Sequence, residues 1–233
     1  MSLIVLDIEK TIKTIERLSL RISDRFPDSS LYQVCIKLKR VAERSEIQIK
    51  KINRPFYIFR ITFIVLCLIS LLFFYAAIKE LHIKDFEIKN ISDLTQSAEA
   101  TLNAIALIGA SFFFLYKLED YFKTRIILKS FHELRTFAHI VDMHQLTKDP
   151  MVINSDSTDN SPVRELNQNE LYRYLDYCSE MLSLISKVAV FYASENRDQT
   201  IANSINDIEI LTSTLSRKIW QKITLIKPSN LDL

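Results

Sequence analysis

The stretch "ITFIVLCLISLLFFYAAI", residues 61–78, decides the fold of this 233-residue chain. It lies between Arg60 and Lys79, and no charged residue interrupts it. A helix buried in a soluble protein usually keeps a polar face, whereas only Thr62 and Ser70 dilute this run. Its length is close to the roughly 20 apolar residues that a helix needs to cross a bilayer. The stretch therefore predicts a transmembrane helix.

A second apolar stretch, "ATLNAIALIGASFFFLY" at residues 100–116, lies between Glu99 and Lys117. It is shorter and contains Asn103, so on its own it is also compatible with a helix buried in a soluble core. A short linker joins it to the first stretch, and two neighbouring apolar helices predict a membrane hairpin.

The charges around the two stretches predict the orientation of this hairpin. Basic residues dominate the sequence before the first stretch and after the second, whereas the linker from Lys79 to Glu99 is net acidic. Because basic flanks stay in the cytoplasm, we expect a two-pass protein with both termini cytoplasmic and the linker outside. The basic residues are Lys37, Lys39, Arg40, Arg44, Lys50, Lys51, Arg54 and Arg60 before the hairpin, and Lys117, Lys123, Arg125, Lys129 and Arg135 after it.

The composition restricts the classes of function. The only glycine is Gly109, so the chain has no glycine-rich loop that could bring backbone N–H groups against a phosphate or a dinucleotide. A net charge of +2 gives no reason to expect direct nucleic-acid binding. Cys35, Cys67 and Cys178 lack the spacing of a zinc site, and we predict neither a cofactor nor a metal.

Outside the hairpin, apolar residues recur at helical spacing in five segments. Asn167, with Glu170 three residues later, resembles a capping box at the start of one of them. Since these apolar faces would be exposed on isolated helices, we expect helices from both ends of the chain to form a coiled-coil-like cytosolic bundle. The faces consist of Val5, Ile8, Ile12, Ile15 and Ile22; Leu31, Cys35, Leu38 and Val41; Phe131, Leu134, Ala138, Val141 and Gln145; Leu171, Tyr174, Leu175, Cys178, Leu182, Ile185 and Val188; and Ile201, Ile205, Ile208, Leu215, Ile219, Ile223 and Ile226.

The predicted fold is all-α, a two-span transmembrane hairpin with a cytosolic helical bundle. No proline or glycine lies between the second apolar stretch and Pro150, so we expect one helix from Asp93 to Leu146, roughly 80 Å long at 1.5 Å per residue. The predicted parts are an N-terminal helical hairpin (1–54), the first transmembrane helix (55–80), an external linker (81–99), the second transmembrane helix (100–116), a cytosolic stalk (117–148), a mobile loop (149–166) and a C-terminal helical hairpin (167–233).

The residue types of "HIVDMHQLTKDP", residues 139–150, raise the question of a metal or catalytic site. A helical zinc pair needs histidines four residues apart, whereas His139 and His144 are five apart. His139 and Asp142 could form an oriented general base, but the sequence indicates neither a nucleophile nor an oxyanion loop. We therefore predict a structural role, in which His139 hydrogen-bonds Asp142 or a neighbouring helix and Pro150 ends the helix.

Asn103, Ala106 and Ala110 fall on one side of the second predicted span. An amide is costly in lipid and should face protein, and two alanines four residues apart allow helices to approach closely. Two interpretations remain open: contact with the first span inside one subunit, and contact between the subunits of a homo-oligomer.

The C-terminal helices supply the remaining candidate contacts. Trp220 lies in the basic amphipathic stretch "LSRKIWQKI", residues 215–223, and is expected either at the inner membrane surface or in the core. The apolar side chains proposed for partner capture are Ile205, Ile208, Leu215 and Ile219.

Three strings and the overall layout are similar to a known family. "HIVDMHQLTKDP" (139–150), "LYRYLDYCSEMLSLISKVAVFYA" (171–193) and "LSRKIWQKI" (215–223) resemble the two-transmembrane effectors that accompany retrons in bacterial anti-phage defence. The resemblance implies a toxin of the bacterial inner membrane. It also implies that a reverse transcriptase with its RNA–DNA hybrid keeps the toxin silent until infection releases it. The family has no catalytic residues to carry over.

Three functions compete on these observations. The first is a non-enzymatic membrane effector, whose cytosolic helices rearrange or oligomerise so that several copies breach the bilayer. The second is a membrane-anchored scaffold or sensor that binds a cytosolic protein or ribonucleoprotein. The third is an enzyme that uses His139 and Asp142.

Overall fold

A computed structural model describes residues 7–52, 54, 56–80, 91–148, 150, 166–194 and 198–226. No strand occurs in these ranges, which confirms the all-α prediction. The helices are α1 (Ile8–Arg25), α2 (Ser30–Ile52), α3 (Tyr57–Glu80), α4 (Ile91–Leu146), α5 (Gln168–Val190), a short 3₁₀ helix (Phe191–Ser194) and α6 (Gln199–Leu225).

The chain divides into two compact units. We call Met1–Asn53 with Ile126–Leu233 the bundle, and Arg54–Arg125 the hairpin unit. Because α4 extends from Ile91 to Leu146, it contributes residues to both units. Most of the predicted external linker and of the predicted mobile loop lies outside the described residues.

The hairpin unit contains the two predicted spans. α3 and α4 are both long and apolar enough to cross a membrane, and the most apolar 18-residue stretch of each contains no buried residue. Ile61, Ile69 and Leu71 of α3 all expose their side chains. Side chains of this kind on every side of a helix indicate lipid as the surrounding solvent.

Local sequence fixes where the bundle helices begin. The side chain of Asp7 accepts hydrogen bonds from the first backbone N–H groups of α1, at 2.9 Å from Glu9 N. The predicted capping box of α5 is present, since Asn167 Oδ1 accepts from Glu170 N and Glu170 Oε2 accepts from Asn167 N, each at 2.9 Å. Such caps satisfy backbone donors that the first turn of a helix leaves unpaired.

The apolar faces of the bundle helices form one core. Ile15, Leu38, Leu134, Leu175 and Ile208, one from each helix, are completely buried. Of the face residues named from the sequence, Ile8 and Ile12 are half-buried, Val5 lies outside the described residues, and the others are buried. The periodicity of the sequence therefore predicts the core of the bundle correctly.

Candidate functional site

α3 and α4 meet along one aromatic seam in the hairpin unit. The ring centroids of Phe63 and Phe112 lie 4.8 Å apart, and those of Phe59 and Phe122 lie 5.7 Å apart. Leu115, three residues after Phe112 on α4, is half-buried. This seam uses one side of α4 and defines which of its side chains face α3.

A polar clamp holds the base of the hairpin. Glu119 Oε1 accepts a hydrogen bond from the backbone N–H of Phe56 at 3.3 Å and lies 2.7 Å from Lys123 Nζ. The side chains of Glu119 and Lys123 are each only 19% exposed, and the Lys123 ammonium group lies 5.5 Å from the ring centroid of Phe56. The clamp therefore joins the start of α3 to α4 through a charge-assisted contact in a partly desolvated place.

Asn103, Ala106 and Ala110, which we call the small-residue stripe, lie on the other side of α4. Asn103 precedes Phe112 by nine residues, which is about two and a half turns at 3.6 residues per turn. It therefore points away from the seam, and the two alanines share its side of the helix. All three are exposed, and a Cβ built on the neighbouring Gly109 would meet no atom within 4 Å. Contact with the first span of the same chain therefore does not explain these residue types.

A buried polar network holds the bundle portion of α4. Gln48 Oε1 of α2 accepts hydrogen bonds from Ser130 Oγ at 2.7 Å and from the hydroxyl group of Tyr192 at 3.0 Å. The Tyr192 ring also contacts Phe131, with centroids 5.3 Å apart and the planes at 81°, and burial raises the pKa of Tyr192. Because Ser130 and Phe131 lie on α4, Gln48 on α2 and Tyr192 on the 3₁₀ helix, these contacts tie α4 to two other elements of the bundle.

Further polar contacts hold α4 where it leaves this network. Lys222 Nζ of α6 donates to the backbone carbonyl of Gln145 at 2.8 Å, which places a cation at the negative end of the α4 dipole. On the surface, Arg44 pairs with Glu133 at 3.1 Å and Arg135 pairs with Asp207 at 3.4 Å. Exposed pairs of this kind contribute about 0–1 kcal/mol each, so the buried contacts dominate.

The histidine segment does not form the predicted contact. His139 is exposed, and the Asp142 carboxylate accepts from Gln145 Nε2 at 2.6 Å. Among the described residues His139 hydrogen-bonds neither Asp142 nor another helix, and no cluster of metal-ligating side chains occurs there. The predicted His139–Asp142 bond is therefore wrong: the side-chain donor to Asp142 Oδ1 is Gln145, three residues later on the same helix.

His144 makes the interhelical contacts instead. Its Nδ1 lies 3.3 Å from Ser30 Oγ of α2 and 3.5 Å from the hydroxyl group of Tyr174 of α5. Burial, and then the charge of Lys148, lower the pKa of His144. The Lys148 ammonium group lies 5.5 Å from the centroid of the Tyr174 ring, and these side chains line a groove of about 800 Å³. One signal in the sequence could have indicated this contact: His144 lies four residues after the apolar Ile140 and therefore on the same side of the helix.

The C-terminal candidates divide into two groups. Ile205, Ile208, Leu215 and Ile219 are buried in the core of the bundle, because their faces pack against the neighbouring helices. They are therefore not exposed partner contacts in this structure. Trp220 is 49% exposed, which excludes the core, one of the two positions expected for it. It lies at a groove of about 810 Å³ between α5 and α6, together with Lys187, Glu209 and Arg217.

No family model, curated protein or solved structure matches the chain. Its function is therefore inferred from its own residues and their geometry. The two most informative features are the exposed small-residue stripe of the hairpin unit and the buried contacts that hold α4 in the bundle.

Proposed function

We propose that the chain is a non-enzymatic effector of the bacterial inner membrane. Its hairpin would associate with further copies and disrupt the bilayer once partner components release it. Two helices cannot enclose a pore, so permeabilisation requires a homo-oligomer. The observation that carries the proposal is the exposure of Asn103, Ala106 and Ala110 on the side of α4 away from α3.

The physics of lipid supports self-association through this stripe. The amide of Asn103 loses its hydrogen bonds to water when it enters hydrocarbon, and the same amide of a second copy would restore them. Interhelical hydrogen bonds in membranes contribute about 0.6–2 kcal/mol each. Ala106 and Ala110 leave room for the two backbones to approach, which adds dispersion contacts that lipid chains do not supply equally well.

The bundle is the part through which partner components would keep the effector silent. The contacts of Gln48, Ser130 and Tyr192 and the bond from Lys222 to Gln145 hold α4, and α4 is also the helix that carries Asn103. Partner components could therefore act on the hairpin by changing how the bundle holds α4. By resemblance, those components are a reverse transcriptase with its RNA–DNA hybrid, and both termini of the chain would be cytoplasmic.

Expression of the full-length chain without partners, followed by dye entry and membrane potential, tests the proposal. The wild type should admit dye and collapse the potential, whereas Ala106→Leu with Ala110→Leu should prevent both because the larger side chains separate the helices. Ala104→Leu is the matched control, since Ala104 is exposed on a different side of α4. A normal potential with wild-type protein present in the membrane, or equal effects of the two alterations, would contradict the proposal.

A membrane-anchored scaffold or sensor is the second candidate, and the exposure of Trp220 favours it. An exposed tryptophan beside a groove lined by Lys187 and Arg217 has the composition of a binding hot spot. If this is the function, Trp220→Ala should remove partner capture without changing membrane integrity. Ile208→Ala should instead lower the stability of the bundle, because Ile208 is buried.

A further inference from the structure

The base of the hairpin unit concentrates basic side chains. The seam and the clamp bring the start of α3 together with residues 117–125 of α4, through the Phe59–Phe122 contact and the bond from Phe56 N to Glu119. Lys123 neutralises Glu119. Arg54, Arg60 and Arg125 are exposed, and the charge of Arg60 acts on the Glu119 carboxylate of the clamp.

Exposed tyrosines occur on the same helices, close in sequence to these cations. Tyr57, Tyr116 and Tyr121 are all exposed, and the Lys117 ammonium group lies 5.9 Å from the ring centroid of Tyr116. Exposed tyrosine next to an apolar helix is typical of the interface between hydrocarbon and headgroups, because the ring is apolar and the hydroxyl group is polar. We therefore expect this end of the hairpin unit to lie at the headgroup level of a bilayer.

We propose that Arg54, Arg60 and Arg125 bind the headgroups of anionic phospholipids such as phosphatidylglycerol. The inference rests on the proposed function only in so far as the hairpin must lie in a bilayer. A guanidinium group donates two parallel hydrogen bonds to a phosphodiester and keeps its charge at any physiological pH. Lipid is the expected source of the phosphate, because the same surface continues into the apolar part of α3 and can hold the acyl chains.

Reconstitution of the full-length chain into phosphatidylcholine vesicles allows a direct test. Spin-labelled phosphatidylglycerol and spin-labelled phosphatidylcholine are added in turn, and electron paramagnetic resonance gives the ratio of their association constants. The ratio should be about five for the wild type, which corresponds to roughly 1 kcal/mol for one basic residue at an anionic surface. It should fall to about one when Arg54, Arg60 and Arg125 are all replaced by glutamine, and wild-type selectivity should weaken in high salt.

Two control variants separate a lipid site from general charge. Arg17→Gln with Arg40→Gln and Lys218→Gln removes the same charge from exposed positions of the bundle and should keep the wild-type ratio. Replacement of the three base arginines by lysine should also keep most of it. A wild-type ratio near one, or an equal loss in the bundle variant, overturns the inference. Displacement of the labelled lipid by inorganic phosphate, beyond that caused by sodium chloride at the same ionic strength, also overturns it, because the site would then take free phosphate.

An alkaline carbonate wash of the same vesicles distinguishes failure of this inference from failure of the proposed function. If the wash removes the chain, the hairpin is not in the bilayer and the proposed function fails. If the chain resists the wash but shows no lipid preference, only the headgroup site is wrong.

Discussion

The two portions of α4 differ in how their side chains are exposed, although they belong to one helix. Residues 101–110 are exposed on every side, whereas Ile127, Leu134, Ala138 and Val141 are buried in the bundle between exposed residues. An amphipathic pattern is needed where a helix has water on one side and a core on the other. The absence of such a pattern in 101–110 indicates that lipid is the solvent there. The same type of substitution should therefore have different effects in the hairpin unit and in the bundle.

The largest effect is expected from removing a core side chain of α4. Leu134→Ala should lower the free energy of unfolding of the bundle by about 2–5 kcal/mol, because Leu134 is completely buried and a cavity would remain. Leu102→Ala removes the same atoms from a side chain that is 67% exposed and should leave that free energy unchanged. Urea titration in detergent, followed by the fluorescence of Trp220, the only tryptophan, measures both. Equal losses would show that residues 101–110 are also packed.

A charge introduced at an exposed isoleucine should distinguish lipid from water. Ile69 of α3 is 58% exposed and Ile47 of α2 is 67% exposed. Ile69→Arg should reduce membrane insertion by roughly 3 kcal/mol, the cost of a basic residue near the centre of a spanning helix. Ile47→Arg should have no effect on insertion or on stability, because an arginine at that position stays in water. Quantitative insertion assays measure the free energy of insertion of both variants. If Ile69→Arg inserts as well as the wild type, α3 does not span the bilayer.

The polar network around Gln48 provides an intermediate effect. Tyr192→Phe removes the 3.0 Å hydrogen bond to Gln48 Oε1 but keeps the ring contact with Phe131. Since Ser130 still donates to the same oxygen, the loss should be about 1 kcal/mol of bundle stability. Tyr172→Phe is the control, because Tyr172 is only half-buried on α5 and should lose less. If the proposed function is correct, Tyr192→Phe should also lower the expression level at which dye enters cells.

Sequence periodicity predicts the bundle well but predicts contacts between helices poorly. Ile219 and Trp220 show the reason: one residue is a rotation of about 100°, so the face that buries Ile219 leaves Trp220 exposed. Helical spacing also identifies the small-residue stripe. It does not predict which side of α4 meets α3, because that depends on the aromatic seam between residues far apart in the sequence. The contacts of His144 could not be predicted from periodicity, because its partners, Ser30 and Tyr174, lie on other helices.

The smallest effect is expected from His144, and its sign follows from the pKa shift. Burial and Lys148 lower the pKa of His144 in the folded state below its usual value of about 6.5. The unfolded chain therefore binds a proton first as pH falls, so the contribution of neutral His144 is complete above pH 6.5 and is lost as pH falls through the folded pKa. His144→Gln should flatten this acid decline in the urea midpoint, whereas His139→Gln, which alters an exposed residue of the same helix, should not. An unchanged acid slope in His144→Gln would mean that the contacts with Ser30 and Tyr174 do not depend on a neutral ring. The acid sensitivity of the bundle would then have to come from its carboxylates.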